Sequence, residues 1–208
     1  MMIVGLNGSP NKKGRVASML AQVMREAEKH GTKTRVIHLA DQRILPHSGK
    51  LNPKTHVENT KDDMPKLQKL VLAADGIIFA SPTHWFNVST PMKAFLDRLT
   101  SLEHYGFLLE GKVAGIITYG PQGGALNAAL AMLAPLIHMG LSIPPYGLVF
   151  DEGRQEKWVK DDLKLLAKNV LLQVKAQKEL GLKWGYAHEK YKTSPIELLP
   201  ANLKKRKK

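Results

Sequence analysis

Short apolar runs rich in β-branched residues alternate along this chain with longer stretches of helical periodicity, which limits it to βαβ units around a parallel sheet. Met2-Ile3-Val4-Gly5-Leu6-Asn7 is the first such run, closed by Gly8-Ser9-Pro10. Over residues 15–30, Val16, Leu20, Val23, Met24 and Ala27 share one helical face, and Gly31 stands where a C-capping glycine would end the helix. Arg35–Leu39 reads as the second strand, Gly76–Ala80 as the third, Val113–Tyr119 as the fourth, and a fifth falls within residues 141–150. The third is continuously apolar, as a strand covered on both faces must be. Helices are expected over 62–74, with Asp62 or Asp63 as cap, over 91–102 with Pro91 in the first turn, over 123–139 around Pro135, and over 155–180. Residues 41–60 carry no period and hold Pro46, Gly49, Asn52 and Pro53, which predicts a long loop. Five strands with helices between them predict a doubly wound α/β sheet with helices on both faces. Such sheets bind ligands beyond the carboxyl ends of their strands, so the loops after strands one, three and four are where chemistry belongs.

Composition narrows the function. The 208 residues suit one domain, expected at 1–180, with a basic extension at 181–208. No apolar run reaches the roughly 20 residues that span a bilayer, and the apolar start is too short for a signal peptide, so a cytoplasmic chain away from membranes is expected. There is no cysteine, which removes disulfides, thiolate metal sites, cysteine nucleophiles and iron–sulfur clusters together. The formal charge is +13, and residues 183–208 hold eight of the basic side chains against two acids. A basic surface attracts anionic ligands, among them NADPH, FMN and nucleic acid. The run Lys204–Lys208 reads as a solvated end rather than a nucleic-acid site, while Trp184, Tyr186 and Tyr191 are spaced as anchors onto a partner surface. His47 and His56 share the long loop but lack the carboxylate or cysteine spacing of a metal site. No Gly-x-Ser-x-Gly elbow is present, so hydrolase chemistry has no nucleophile, and no catalytic acid or base is assigned.

The loop after strand one follows a strand and opens a helix, a geometry that aims backbone N–H groups and the positive helix end at one point, as a phosphate requires. Its candidate ligand-binding residues are Ser9, Asn11, Arg15, Val16, Ala17 and Ser18, the reading competing with an ordinary polar turn. It has neither the dinucleotide glycine spacing nor a Walker Gly-Lys-Ser/Thr. The loop after strand three offers Pro82, Thr83, His84, Trp85, Phe86 and Asn87, where an aromatic pair and backbone donors would suit a flat heterocycle. The alternative puts Trp85 and Phe86 in the core or at a subunit contact. The loop after strand four offers Tyr119, Gly120, Gly123 and Gly124, glycines that allow close backbone approach.

Ser81-Pro82-Thr83-His84, with Lys93, Phe95, Asp97 and Arg98 on the helix that follows, resembles the flavin-ring loop and next helix of the NADPH-dependent FMN reductase family. The resemblance covers residues 2–150. It implies a flavodoxin-like fold with strand order 2-1-3-4-5, FMN on the three loops, and NAD(P)H as co-substrate. Electrons would pass to a quinone, nitro compound, free flavin or similar acceptor, and the protein would be a homodimer or homotetramer. Asp97 and Arg98 would be structural. Two departures are visible. Arg15-Val16 stands where members often carry Asn-Thr, so a phosphate-binding hydroxyl is missing and Arg15 or Ser18 would have to compensate. The iron–sulfur flavoprotein branch carries a cysteine cluster in the loop after strand two, where this chain reads Leu45-Pro46-His47-Ser48-Gly49-Lys50-Leu51-Asn52. That leaves two-electron hydride chemistry. A flavodoxin-type electron carrier and a non-catalytic flavodoxin-like binding module are the competing readings.

Overall fold

A computed structural model of the chain describes residues 1–52, 58, 61–104, 106–153 and 155–181. His56 and everything after Gly181, including Trp184, Tyr186 and Tyr191, lie outside the described residues. Strands β1 (Met2–Asn7), β2 (Lys33–His38), β3 (Gly76–His84), β5 (Val113–Tyr119) and β6 (Leu148–Asp151) pair in parallel in the order β2-β1-β3-β5-β6. Counted by themselves, these five follow the expected order 2-1-3-4-5. The sixth, β4 (Asn87–Val88), folds back antiparallel on the end of β3. Helices α1 (Arg15–Lys29), α2 (Met64–Ala73), α3 (Thr90–Asp97), α4 (Thr100–His104), α5 (Ala125–His138) and α6 (Glu156–Leu180) cover the sheet.

Alternation along the central strands divides the core in two. Ile3, Ile78, Val113 and Ile117 point to α1 and α6, which bury Val16, Leu20, Val23, Leu163, Leu166 and Val170 against them. Val4, Leu6, Ile77, Phe79, Ala114 and Ile116 point the other way, to α2, α3 and α5. Each such aliphatic or aromatic side chain contributes about 1.5–3 kcal/mol when taken fully from water. The expected stop at Gly31 is a Schellman motif: Gly31 N–H donates to Glu28 O at 2.9 Å and Thr32 N–H to Ala27 O at 3.3 Å, with Gly31 at φ +72°.

Several expectations need correction. β3 runs four residues beyond Ala80, to His84, so the start of the expected loop is strand. The helix expected over 91–102 breaks at Arg98 and Leu99, where the Thr100 hydroxyl donates to Asp97 O at 2.7 Å. At the start of α2, Asp62 accepts the first helical N–H, from Met64 at 3.2 Å, while Asp63 stands at the N-cap position without a side-chain cap bond. Their carboxylates also accept the N–H groups of Leu45 (3.1 Å) and Arg43 (2.8 Å) and so hold down the long loop. The fifth parallel strand begins only at Leu148, since Pro144 and Pro145 remove two N–H donors from the segment before it.

Candidate functional site

The loop after β1 is wired by its own side chains. Ser9 N–H donates to Asn7 Oδ1 (2.9 Å), Asn11 N–H to Ser9 Oγ (3.1 Å) and Lys13 N–H to Asn11 Oδ1 (3.0 Å). These are successive Asx- and Ser-type turns, each side-chain oxygen taking the N–H two residues on. The Ser9 hydroxyl proton and the Asn11 amide group remain available to donate. At the start of α1, Gly14 is extended, no side chain caps the helix, and no acid lies in its first turn. The N–H groups of Arg15, Val16 and Ala17 are therefore presented to an incoming anion. Val16 itself is buried against the α1–α6 core, so only its backbone belongs to the site. Ser18 is exposed, with its N–H in the helix ladder to Gly14 O.

Arg15 is placed otherwise than its sequence position suggests. Its Nε and Nη2 donate to Oδ2 of Asp151, at 3.1 and 3.0 Å, and its Nη1 lies 4.0 Å from Glu156. Asp151 ends β6 and is buried, so the arginine fork ties the first helix to the far strand. Lys12 pairs with Asp41 at 2.6 Å.

The second loop is a hairpin. Thr83 pairs with Val88 and His84 with Asn87, leaving Trp85-Phe86 as a two-residue turn. Both turn residues are left-handed, at φ +48° and +61°. Turns of this kind favour Asn-Gly, and a bulky L-residue there costs roughly 1–2 kcal/mol. Trp85 is 95% exposed and Phe86 59%, so neither belongs to the core. The base of the hairpin is firm by contrast. Ser89 is fully buried; its hydroxyl donates to Gly8 O at 2.7 Å, and its N–H donates to Ser81 Oγ at 3.0 Å. Gly8 N–H in turn donates to Ala80 O at 2.8 Å, so the first two loops are stitched together. Asn87 spends its Oδ1 on Val88 N–H and keeps its amide NH2 uncommitted.

The third loop leans on the hairpin because it has glycine where it meets it. A Cβ on Gly120 would lie 2.5 Å from Thr83 Oγ1, and one on Gly124 2.7 Å from the Phe86 ring. Gly123 and Gly124 also sit at φ +96° and +79°. Thr83 Oγ1, at this seam, is buried with no hydrogen-bond partner. Tyr119 ends β5 opposite Asp151, whose carbonyl accepts Gly120 N–H. The start of α5 is already taken, since Ala125 N–H donates to Glu152 Oε1 at 2.8 Å. The start of α1 has no such partner and no acid in its first turn. Ser89, Asp151 and Glu152 are site-shaping residues that sequence reasoning missed. An acidic pair closing the last strand, and a hydroxyl just before a helix-starting Thr-Pro, are the signals that could have marked them.

Asp97 and Arg98 serve as ion-pair residues. Asp97 holds Lys93 at 2.6 Å. Arg98 is buried and reaches Glu58 (2.6 Å), Asp62 (2.5 Å) and Leu45 O (2.9 Å). Burial opposes ionisation of Asp62, but hydrogen bonds from Arg98 and from the N–H groups of Leu45 and Met64 outweigh it and hold the carboxyl below its ordinary value. His47 Nδ1 faces Glu58 Oε1. Among the described residues no group of three His, Cys, Asp or Glu side chains is arranged to hold a metal ion.

Residues 1–155 match the family described as NADPH-dependent FMN reductase. An iron–sulfur flavoprotein of Archaeoglobus fulgidus is 31% identical over 200 residues, covering 95% of this chain and 85% of that protein. An NADPH azoreductase of a Bacillus species is 27% identical over 177 residues, covering 85% of this chain and 92% of its own. In structure, the chain superposes on RosB, crystallised with 8-demethyl-8-formylriboflavin-5'-phosphate, at a TM-score of 0.76 and 18% identity, over 88% of this chain and 82% of that one. An archaeal flavodoxin superposes at 0.60 with 16% identity, over 84% and 99% of the two chains.

Proposed function

This chain belongs to the NADPH-dependent FMN reductase family, and from that premise we propose that it carries electrons from NAD(P)H through FMN to a quinone, a nitro compound, free flavin or a similar small acceptor. Membership makes it an NAD(P)H-dependent oxidoreductase with FMN as its flavin. The observation that carries the site reading is that the three loops are fastened to one another. Ser89 joins the first to the second, and Gly120 and Gly124 seat the third on Thr83 and Phe86.

The residues present fit the cofactor. The uncapped start of α1, with Ser9, Asn11 and Ser18 beside it, offers donors to a phosphate and has no acid in its first turn. Arg15 offers no fork there, because its fork is engaged and its charge balanced by Asp151. The hairpin residues Pro82–Asn87 and the loop residues Tyr119, Gly120, Gly123 and Gly124 would hold the ring system between them, and Thr83 Oγ1 has a hydrogen bond to offer. The bound FMN would supply the two-electron hydride chemistry that links the reduced nicotinamide to the acceptor. The protein's part would be to position the cofactor, to keep water from the ring with the Trp85-Phe86 tip, and to hold the phosphate on the backbone donors of α1. No side chain is assigned as general acid or base. The 208 residues contain no cysteine, so the cluster named for the Archaeoglobus relative has no thiolate ligands here.

We also read the protein as a cytoplasmic homodimer or homotetramer. Among the described residues no helix is long and apolar enough to cross a membrane. On a chain of charge +13, the outer face of α5 shows Leu126, Leu130 and Ile137 and no Lys, Arg, Asp or Glu, which suits contact between copies. The deciding experiment is the visible spectrum of the purified protein before and after NADPH under nitrogen, followed by steady-state NADPH oxidation with an added quinone. A flavin spectrum that bleaches, with sustained turnover, is expected. A protein that stays colourless with added FMN sinks the reading, and bleaching without turnover would make it a carrier.

A further inference from the structure

Asn7 closes β1 with its side chain fully buried. Its Oδ1 accepts Ser9 N–H at 2.9 Å, and that bond fixes which way round the amide lies. A carboxamide whose oxygen faces a backbone N–H must turn its NH2 to the opposite side. On that side, 3.0 Å away, lies Nδ1 of His38, directly across from Asn7 in the parallel register of β1 and β2. The amide NH2 can only donate, so His38 Nδ1 accepts, and the imidazole carries its proton on Nε2.

His38 sits on the outermost strand, outside all three loops, yet it begins the ladder that shapes the first of them. His38 orients Asn7, Asn7 takes Ser9 N–H, Ser9 takes Asn11 N–H, and Asn11 takes Lys13 N–H. Without an acceptor at position 38, the buried Asn7 NH2 is stranded. Rotating the amide to escape would set that NH2 against Ser9 N–H and break the next rung. We propose that His38 is a positioning residue for the FMN phosphate, acting through Asn7 on the Ser9–Lys13 loop without touching the ligand. This inference rests on the flavin reading above, and it adds a residue that no loop contains.

FMN and riboflavin differ by the phosphate alone, so they separate an effect on this loop from an effect on the ring site or on folding. Each would be titrated into the full chain as wild type, His38→Ala and His38→Asn, following quenching of flavin fluorescence, with thermal melts run alongside. Asparagine places an acceptor oxygen the same number of bonds from the backbone as Nδ1. For His38→Ala, FMN affinity should fall about tenfold while riboflavin affinity stays within about twofold, and His38→Asn should recover most of the loss. Equal weakening of both flavins, an unchanged FMN affinity in His38→Ala, or no recovery in His38→Asn each overturns the proposal. A wild-type chain that binds neither flavin overturns the flavin reading itself, and the positioning role with it.

Discussion

The loop after β1 and the hairpin after β3 close the same end of the sheet by opposite means. In the first, each turn is held by a side-chain oxygen, and the backbone donors that remain are those a phosphate would use. In the second, the base is locked by Ser81 and Ser89, while the tip carries two exposed aromatics in a left-handed turn that suits neither. On the function proposed above, the loop that would meet a small rigid anion is pre-organised, which lowers the ordering cost of binding. The hairpin, which on the same reading would meet planar substrates, keeps strain and bare aromatic surface.

The largest effect is expected outside both loops, where the end of α3 is tied to the long loop after β2. Arg98→Ala leaves the buried Glu58 and Asp62 without their cation and should cost about 3–5 kcal/mol in urea unfolding. Asp62 adds a pH signature. Its carboxyl is depressed in the folded state, so its stabilisation is present above its ordinary value of 3.8 and drains away as pH falls through the lower folded value. Asp62→Asn should flatten the stability-versus-pH curve below about pH 4. If Arg98→Ala melts like wild type, the long loop is not held to α3 in the way described.

Next in size is the seam between hairpin and third loop. Gly124→Ala puts a Cβ 2.7 Å from Phe86 at a position with φ +79°, and should cost about 2–3 kcal/mol. It should also weaken FMN and riboflavin alike, unlike His38→Ala. The contrast itself turns on the hairpin tip. Replacing Trp85-Phe86 by Asn-Gly should stabilise the fold by about 1–2 kcal/mol while lowering NADPH turnover. A destabilised variant would show that the tip is not strained, and unchanged turnover would show that the aromatics serve another purpose. The smallest effect belongs to Ser89→Ala. It removes the donor to Gly8 O and should cost about 1–2 kcal/mol in urea unfolding.

Much of this was legible in order. Ile77, Ile78 and Phe79 declare a doubly covered strand by themselves, and the helical period of Val16, Leu20 and Val23 declares a helix whatever it packs on. The hairpin was not legible, because Trp85-Phe86 breaks the Asn-Gly preference by which such turns are read. The partner of Arg15 was not legible either. Asp151 is 136 residues away, and a cation beside a helix start looks free until the last strand is laid down next to it.

Sequence alone determined the strands, the helices and the three loops between them, because burial of apolar surface follows short-range periodicity that each segment carries within itself; the strand order came only from the resemblance to the family. It also ruled out thiolate chemistry, which needs no geometry. Only the tertiary structure decided which polar groups stay available. Arg15 is engaged by Asp151, the start of α5 by Glu152, and Asn7 by His38, while the first turn of α1 and Thr83 Oγ1 are left open. Hydrogen-bond partners are assigned by proximity in space, and proximity between segments far apart in the chain exists only once the fold has formed.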